Sequence, residues 1–160
     1  MDKSQIGLVG LGVMGQNLAL NMEDKGYSVS VYNRTAFKTE KFVHDKLQDK
    51  QIQPTYSLEE FIDSLERPRK VILLVKAGQA VDDFIEKLIP LMDKGDLIID
   101  AGNSFFKDTI RRNKYLEEKG LLFIGTGVSG GEEGALKGPA IMPGGQKEAY
   151  SLVQDLFEKI

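Results

Sequence analysis

Gln5-Ile-Gly-Leu-Val-Gly10-Leu-Gly12-Val-Met-Gly15 is a short apolar strand that runs straight into Gly-x-Gly-x-x-Gly. Strand, tight turn and helix in that order suit a dinucleotide pyrophosphate. Gly10 permits the sharp exit from the strand, and Gly12 lets backbone approach the phosphates. Gly15 packs the helix on the sheet, while the helix N-terminus offers amide donors and a positive dipole end. Leu11, Val13 and Met14 fill the turn between them. The triplet alone would say little in a chain with 17 glycines. Its setting between a Val/Ile/Leu strand and a helical pattern makes it informative; a plain strand-to-helix turn is the alternative.

Working outward, a second strand over Ser28–Tyr32 ends in Asn33-Arg34-Thr35. A fold that binds NAD carries an acid there for the ribose hydroxyls. A carboxylate would repel a 2′-phosphate, whereas arginine offers it a bidentate, permanently charged partner. Asn33 and Thr35 can add neutral hydrogen bonds. Glycines and arginine together point to NADP, with a merely solvated Arg34 as the alternative. Val75-Lys76-Ala77-Gly78 and Asp100-Ala-Gly-Asn103-Ser104 each end a further strand, at the edge where open α/β sheets bind ligands. Their small residues leave room for a flat ring, and Asn103 could bond a carboxamide or a substrate hydroxyl. Gly127-Val-Ser129-Gly130-Gly131-Glu-Glu-Gly-Ala135 follows another strand. So many glycines suggest a loop presenting amides to an anion, such as a substrate carboxylate. Glu132 and Glu133 read as solvated neighbours on extended chain rather than an acid–base pair, and His44 as a surface residue.

Apolar runs at Ile6–Val9, Val29–Tyr32, Lys70–Val75, Leu97–Asp100, Leu122–Ile124 and Ala140–Met142 alternate with amphipathic segments. Those lie at Gly15–Lys25, Ala36–Leu47, Leu58–Leu65, Ala80–Leu91, Lys107–Lys119 and Lys147–Lys159. The alternation predicts an α/β fold: a Rossmann-like doubly wound, mostly parallel sheet with helices on both faces. Gln51–Tyr56 reads as loop, with room for a short edge strand. Ser57-x-x-Glu60 is a capping box, and Gly26, Gly95 and Gly120 read as helix stops. With 160 residues the chain supports one domain. Hydrophobic residues at 41% and charged residues at 28% are ordinary for a soluble globular protein. Net charge −3 with dispersed Lys and Arg argues against nucleic acid or a membrane surface as partner. With no cysteine and one histidine, neither a disulfide framework nor a thiolate or multi-histidine metal site is expected. No stretch reaches membrane-spanning length and the N-terminus is not a signal peptide, so the expected location is the cytoplasm. The apolar stripe of Lys147–Ile160 stops without a capping signal, so the chain is expected to end near a domain boundary.

Five blocks then converge. Gly10-Leu-Gly-Val-Met-Gly15-Gln-Asn-Leu-Ala-Leu-Asn21, Tyr32-Asn-Arg-Thr35, Leu74-Val-Lys-Ala-Gly78, Asp100-Ala-Gly-Asn-Ser104 and Gly127-Val-Ser-Gly-Gly-Glu-Glu-Gly-Ala135 resemble the 6-phosphogluconate dehydrogenases in order and spacing. The β-hydroxyacid dehydrogenases, such as the 3-hydroxyisobutyrate enzymes, share the glycine turn, the Asn-Arg pair and Ser-Gly-Gly. They typically lack Leu-Val-Lys-Ala-Gly and Glu-Glu-Gly-Ala. One departure is Gly12, where many 6-phosphogluconate dehydrogenases carry alanine. The resemblance implies that Gly10, Leu11, Gly12, Val13, Met14 and Gly15 cradle the phosphates of NADP, and that Asn33, Arg34 and Thr35 hold its 2′-phosphate. It implies that Val75, Lys76 and Ala77 lie against the cofactor, with Asn103 between nicotinamide and substrate. Ser129, Gly130 and Gly131 would bind 6-phosphogluconate.

The family oxidises that sugar acid by hydride transfer to NADP, releases carbon dioxide and yields ribulose 5-phosphate in the pentose phosphate pathway. Its catalytic Lys and Glu lie in a second, all-helical domain after residue 160, and the full-length enzyme is a homodimer. This chain would then hold no catalytic residue and no metal, binding cofactor without turnover. A 3-hydroxyisobutyrate-type dehydrogenase and a non-enzymatic NADP-sensing domain are the other readings.

Overall fold

The computed structural model describes residues 2–160. The first half runs β1 (Ile6–Val9), α1 (Val13–Asp24), β2 (Val29–Tyr32), α2 (Ala36–Lys46), β3 (Ile52–Thr55) and α3 (Leu58–Asp63). The second runs β4 (Lys70–Leu73), α4 (Gln79–Leu88), β5 (Leu97–Asp100) and α5 (Phe106–Glu118). It continues with β6 (Leu122–Ser129), α6 (Gly131–Lys137), β7 (Ala140–Gly145), α7 (Lys147–Ser151) and α8 (Gln154–Lys159). One seven-stranded sheet has the order β3-β2-β1-β4-β5-β6-β7, parallel except for antiparallel β7. The chain winds outward from β1 in one direction, then returns to β4 and winds the other way. The reversal leaves a crevice between the C-terminal ends of β1 and β4, where the glycine turn sits.

Both faces of the inner strands β1, β2, β4 and β5 are covered, so these strands are almost continuously buried instead of alternating. Alternate residues feed two cores. Ile6, Leu8, Val29, Val31, Ile72 and Ile99 pack against Leu18, Ala19 and Met22 of α1, Phe42 of α2 and Leu156 of α8. Val9, Val71, Leu73 and Ile98 meet Phe61 and Ile62 of α3, Val81 and Ile85 of α4 and Leu116 of α5. The doubly wound expectation therefore holds.

Several boundaries move. β4 closes at Leu73, two residues short of Val75, although Leu74 N still donates to Val9 O at 2.8 Å. Gln51–Tyr56 contains edge strand β3, where Pro54 is tolerated because no further strand pairs beyond it. β6 runs on to Ser129 and β7 to Gly145, paired from Ile124↔Gly145 to Ser129↔Ala140. What reads as a glycine loop is thus the end of β6 followed by α6, so Glu132 and Glu133 lie in a helical first turn, not on extended chain. The helix expected over Lys147–Lys159 is broken at Leu152–Val153, where i→i+3 bonds from Leu152 N to Ala149 O and Val153 N to Tyr150 O tighten the chain.

Gly26 and Gly120 do stop helices, at φ 90° and 77°. In each case a six-residue return bond follows, Tyr27 N to Met22 O and Leu121 N to Leu116 O. Gly95 also has positive φ but lies in the turn before β5, beyond a 3₁₀ segment at Ile89–Leu91. The capping box forms: Ser57 Oγ accepts from Glu60 N at 3.1 Å, and Glu60 Oε2 accepts from Tyr56 N, one residue outside the cap.

Candidate functional site

The glycine turn is built from two contacts that exclude any side chain. Gly10 has φ 105°, and a Cβ there would stand 2.1 Å from the Leu74 carbonyl oxygen. A Cβ on Gly15 would stand 1.8 Å from the Gly10 oxygen. Gly12 differs: its backbone is ordinary at φ −69°, and a Cβ would meet nothing within 4 Å. The open space at Gly12 faces outward from the turn, at the first residues of α1. Behind it, Leu11 and Gly15 are buried.

The loop after β2 is tied to this turn. Gly10 N donates to Tyr32 O at 2.9 Å, and Leu11 N donates to Asn33 Oδ1 at 2.9 Å. Asn33 Nδ2 donates to Thr35 O at 3.1 Å. Asn33 therefore spends most of its amide on fixing the two loops to each other. Arg34, Thr35 and Lys38 are exposed beside it. A cleft of about 290 Å³ lies between these loops, lined by Gly10, Gly12, Asn33, Arg34, Thr35, Lys38, Val75 and Lys76, with Ala80 and Phe84 of α4 behind. Its charged lining residues are Arg34, Lys38 and Lys76, all cationic. In a chain of net charge −3, that is a local reversal of sign and the mark of an anion site. Lys38 is not among the residues the sequence marks for this site; its placement one helical turn beyond Arg34, in the first turn of α2, is the signal that points to it.

Ala77 and Gly78 continue the loop after β4, with Gly78 at φ 100° as the N-cap of α4. Asn103 lies outside the basic cleft, on a neighbouring cavity of about 570 Å³ between α5 and β6–β7. Its backbone is left-handed at φ 54°. Its side chain latches onto β6: Oδ1 accepts from Val128 N at 2.9 Å and Nδ2 donates to Val128 O at 3.2 Å. One amide hydrogen and one lone pair are left for a ligand. Ser129, Gly130 and Gly131 follow immediately and are exposed, with Gly131 opening α6. The expected anion-facing amides are fewer than the glycine count suggests, because Gly127–Ser129 pair with β7. Helix α6 is held to the glycine-turn helix by two buried asparagines, Asn17 to Glu132 O at 3.0 Å and Asn21 to Ala135 O at 3.1 Å. Val13, exposed, and Met14, half-buried, lie at the start of α1 and do not line the basic cleft.

A second feature escapes sequence reading. Arg112 of α5, 1% exposed, holds Asp82 of α4 through Nε at 2.9 Å and Nη2 at 3.1 Å. The Arg112 guanidinium, helped by Arg111, keeps the Asp82 carboxyl below the usual carboxylate range despite its partial burial. No helix among the described residues is long and apolar enough to cross a membrane.

Known proteins are similar to this chain in sequence and fold. The family model described as the NAD binding domain of 6-phosphogluconate dehydrogenase matches residues 5–160. An NADP(+)-dependent, decarboxylating 6-phosphogluconate dehydrogenase of Bacillus subtilis is 61% identical over all of this chain and 34% of its own length. The structure of Plasmodium falciparum 6-phosphogluconate dehydrogenase, described in apo form and in complex with its cofactor NADP+ and its substrate 6-phosphogluconate, superposes with a TM-score of 0.91. It is 47% identical, covering 97% of this chain and 33% of that one. A 3-hydroxyisobutyrate dehydrogenase of Mycobacterium tuberculosis has a TM-score of 0.84 over 98% of this chain and 52% of its own, but 22% identity, so it shares the fold alone. This chain spans about a third of the length of the curated relatives it matches. The match over residues 5–160, on a chain whose glycine turn is closed to side chains at Gly10 and Gly15, shows that the chain belongs to the family of NAD-binding domains of 6-phosphogluconate dehydrogenase.

Proposed function

We propose that this chain binds NADP in the basic cleft and forms the cofactor-binding part of a 6-phosphogluconate dehydrogenase. The observation that carries the reading is the charge of that cleft. Where a NAD-specific site would place a carboxylate at the end of β2, Arg34 stands instead, with Lys38 and Lys76 across the same opening. A guanidinium can pair a 2′-phosphate by two parallel hydrogen bonds, and Lys38 adds a second positive charge from the first turn of α2. Thr35 is the N-cap of that helix, yet its hydroxyl makes no capping bond, so it is available to the same anion. The residues at the turn fit the rest of the group. Gly10 and Gly15 hold the backbone in place, and the open side of Gly12 lets phosphates approach the N-terminus of α1.

Bound there, NADP supplies the hydride acceptor. Val75 and Lys76 of the cleft, with Ala77 next in the same loop, would border it on the β4 side. Asn103 would orient nicotinamide and sugar acid with the hydrogen-bonding capacity its latch leaves over, and Ser129, Gly130 and Gly131 would receive 6-phosphogluconate. Proton transfer would come from a Lys and a Glu on a helical domain beyond residue 160, in a protein that works as a homodimer. General acid–base groups typically contribute about 10²–10⁴-fold each, so this chain alone should bind cofactor without useful turnover. Calorimetric titration with NADP+ and NAD+ tests the reading. Arg34→Ala should weaken NADP+ by about 1.5–3 kcal/mol, the worth of a charge-assisted contact, and leave NAD+ nearly unchanged. Equal losses for both would rule out the role given to Arg34.

A further inference from the structure

We propose that Arg112 is a positioning residue that locks together the two loops on which the nicotinamide end of the cofactor would rest, an inference that depends on the NADP reading above. The loop after β4 carries Lys76, Ala77 and Gly78; the loop after β5 carries Asn103. Neither loop has regular structure to fix it, and both converge on one buried guanidinium. Arg112 Nη2 donates to the Gly78 carbonyl at 3.0 Å and to Asp82 Oδ2 at 3.1 Å, while Nε donates to Asp82 Oδ1 at 2.9 Å. Nη1 reaches the other loop, donating to Ser104 Oγ at 3.1 Å and to Asp100 Oδ2 at 3.4 Å. Asp100 in turn shapes that loop: Oδ1 accepts from Gly102 N at 3.0 Å, and Oδ2 accepts from the Ser104 hydroxyl at 2.5 Å.

The loops also touch directly. A Cβ on Gly102 would lie 2.7 Å from the Val75 carbonyl, so the guanidinium fixes a contact that is already close. Arg111 stands on the exposed side of Asp82 at 3.0 Å and also reaches Asp108 at 3.5 Å, so both arginines have carboxylate partners and no cation of the cluster is left uncompensated. Burying such a cluster gains little stability over an apolar contact of the same shape. What it adds is direction: a planar fork accepts its partners at fixed angles, so both loops are held in one relative placement. Arg34 and Lys38, on the elements after β2, make no contact with this cluster, so it acts on one end of the site only.

That one-sidedness supplies the test. The 160-residue chain and its Arg112→Lys and Ser104→Ala variants are titrated with NADPH and with adenosine 2′,5′-bisphosphate, which keeps the phosphate end and lacks the nicotinamide. Lysine preserves the charge but not the fork. The expected result is that Arg112→Lys lowers NADPH affinity about tenfold, the scale of one charge-assisted bond, and leaves the bisphosphate affinity unchanged. Ser104→Ala, which removes one of the guanidinium's five bonds and the hydroxyl's bond to Asp100, should shift the ratio of the two affinities the same way by less. A role in stability alone would lower both ligands together, and an unchanged ratio in both variants overturns the proposal. If Arg112→Lys fails to fold, Ser104→Ala decides by the same ratio. If Arg34→Ala leaves the bisphosphate affinity untouched, the NADP reading itself fails, a result distinct from a normal bisphosphate response with an unmoved ratio.

Discussion

Replacing the three motif glycines one at a time with alanine separates their jobs by stability alone, without any cofactor. At Gly15 the new Cβ would sit 1.8 Å from the Gly10 oxygen, more than an ångström inside the ordinary contact distance that begins at 3.4 Å. The obstacle is backbone, so relief requires moving α1 off β1. Overpacking of this kind costs about 1–3 kcal/mol, and more when no side chain can give way. Gly10→Ala meets the Leu74 oxygen at 2.1 Å and in addition places an L-residue at φ 105°, which adds roughly 1–2 kcal/mol. Both variants should lose about 3 kcal/mol or more out of a total near 5–15. Gly12→Ala has an ordinary backbone and open space, and should be neutral or gain about 0.4–1 kcal/mol through the unfolded chain. Urea unfolding followed by far-UV circular dichroism measures this. With an m-value of about 2 kcal/mol/M, the midpoints of Gly10→Ala and Gly15→Ala should fall by about 1–2 M and that of Gly12→Ala should stay. A Gly12→Ala loss as large as that of Gly15→Ala, or a Gly10→Ala midpoint equal to the parent's, would refute the assignment of roles.

Two further outcomes test the ionic clusters. Asp82 has a carboxyl held below its ordinary value of 3.8, chiefly by the Arg112 hydrogen bond and secondarily by Arg111. A depressed folded-state pKa contributes stability that is present above the unfolded value and lost as pH falls through the folded one. Stability against chemical unfolding should therefore fall below about pH 4, and Asp82→Asn should flatten that part of the profile while lowering stability at pH 7; an unaltered profile would show that Asp82 is not the group responsible. Asp96, 3% exposed at its side chain, accepts from Arg69 N at 2.7 Å, Arg69 Nη1 at 3.1 Å and Asp93 N at 2.8 Å. Asp96→Ala strands these donors and should cost about 3 kcal/mol, the low end for a broken buried pair because Asp93 still faces Arg69. A loss within about 0.5 kcal/mol, typical of a surface change, would contradict the pairing.

The parts legible in the sequence are those whose signal is local. Strands β1, β2 and β5 have the expected bounds because each is a short apolar run between turn residues, and Gly26 and Gly120 stop helices because a left-handed residue after a cation is a local device. Where tertiary contacts decide, the reading slips. β6 extends through Thr126, Gly127 and Val128 because β7 lies antiparallel beside it, and glycines that look like loop are pinned there by pairing. The break at Leu152–Val153 has no glycine or proline to announce it. Arg112 looks like one more cation on an amphipathic helix, since arginines are mostly solvated. Its partners are 30, 12, 8 and 34 residues away, and nothing local marks them. Asn33 and Asn103 read from sequence as ligand donors, yet each uses much of its amide to hold backbone, a role that spacing cannot reveal.

In the function proposed above, the anion site beside the glycine turn takes a nucleotide bearing a 2′-phosphate. A crystal structure of the chain grown with NADP+ decides this. The pyrophosphate should lie at the first residues of α1 and the 2′-phosphate within hydrogen-bonding distance of Arg34, with Lys38 close by. A 2′-phosphate turned to solvent, or bound away from Arg34, would contradict it.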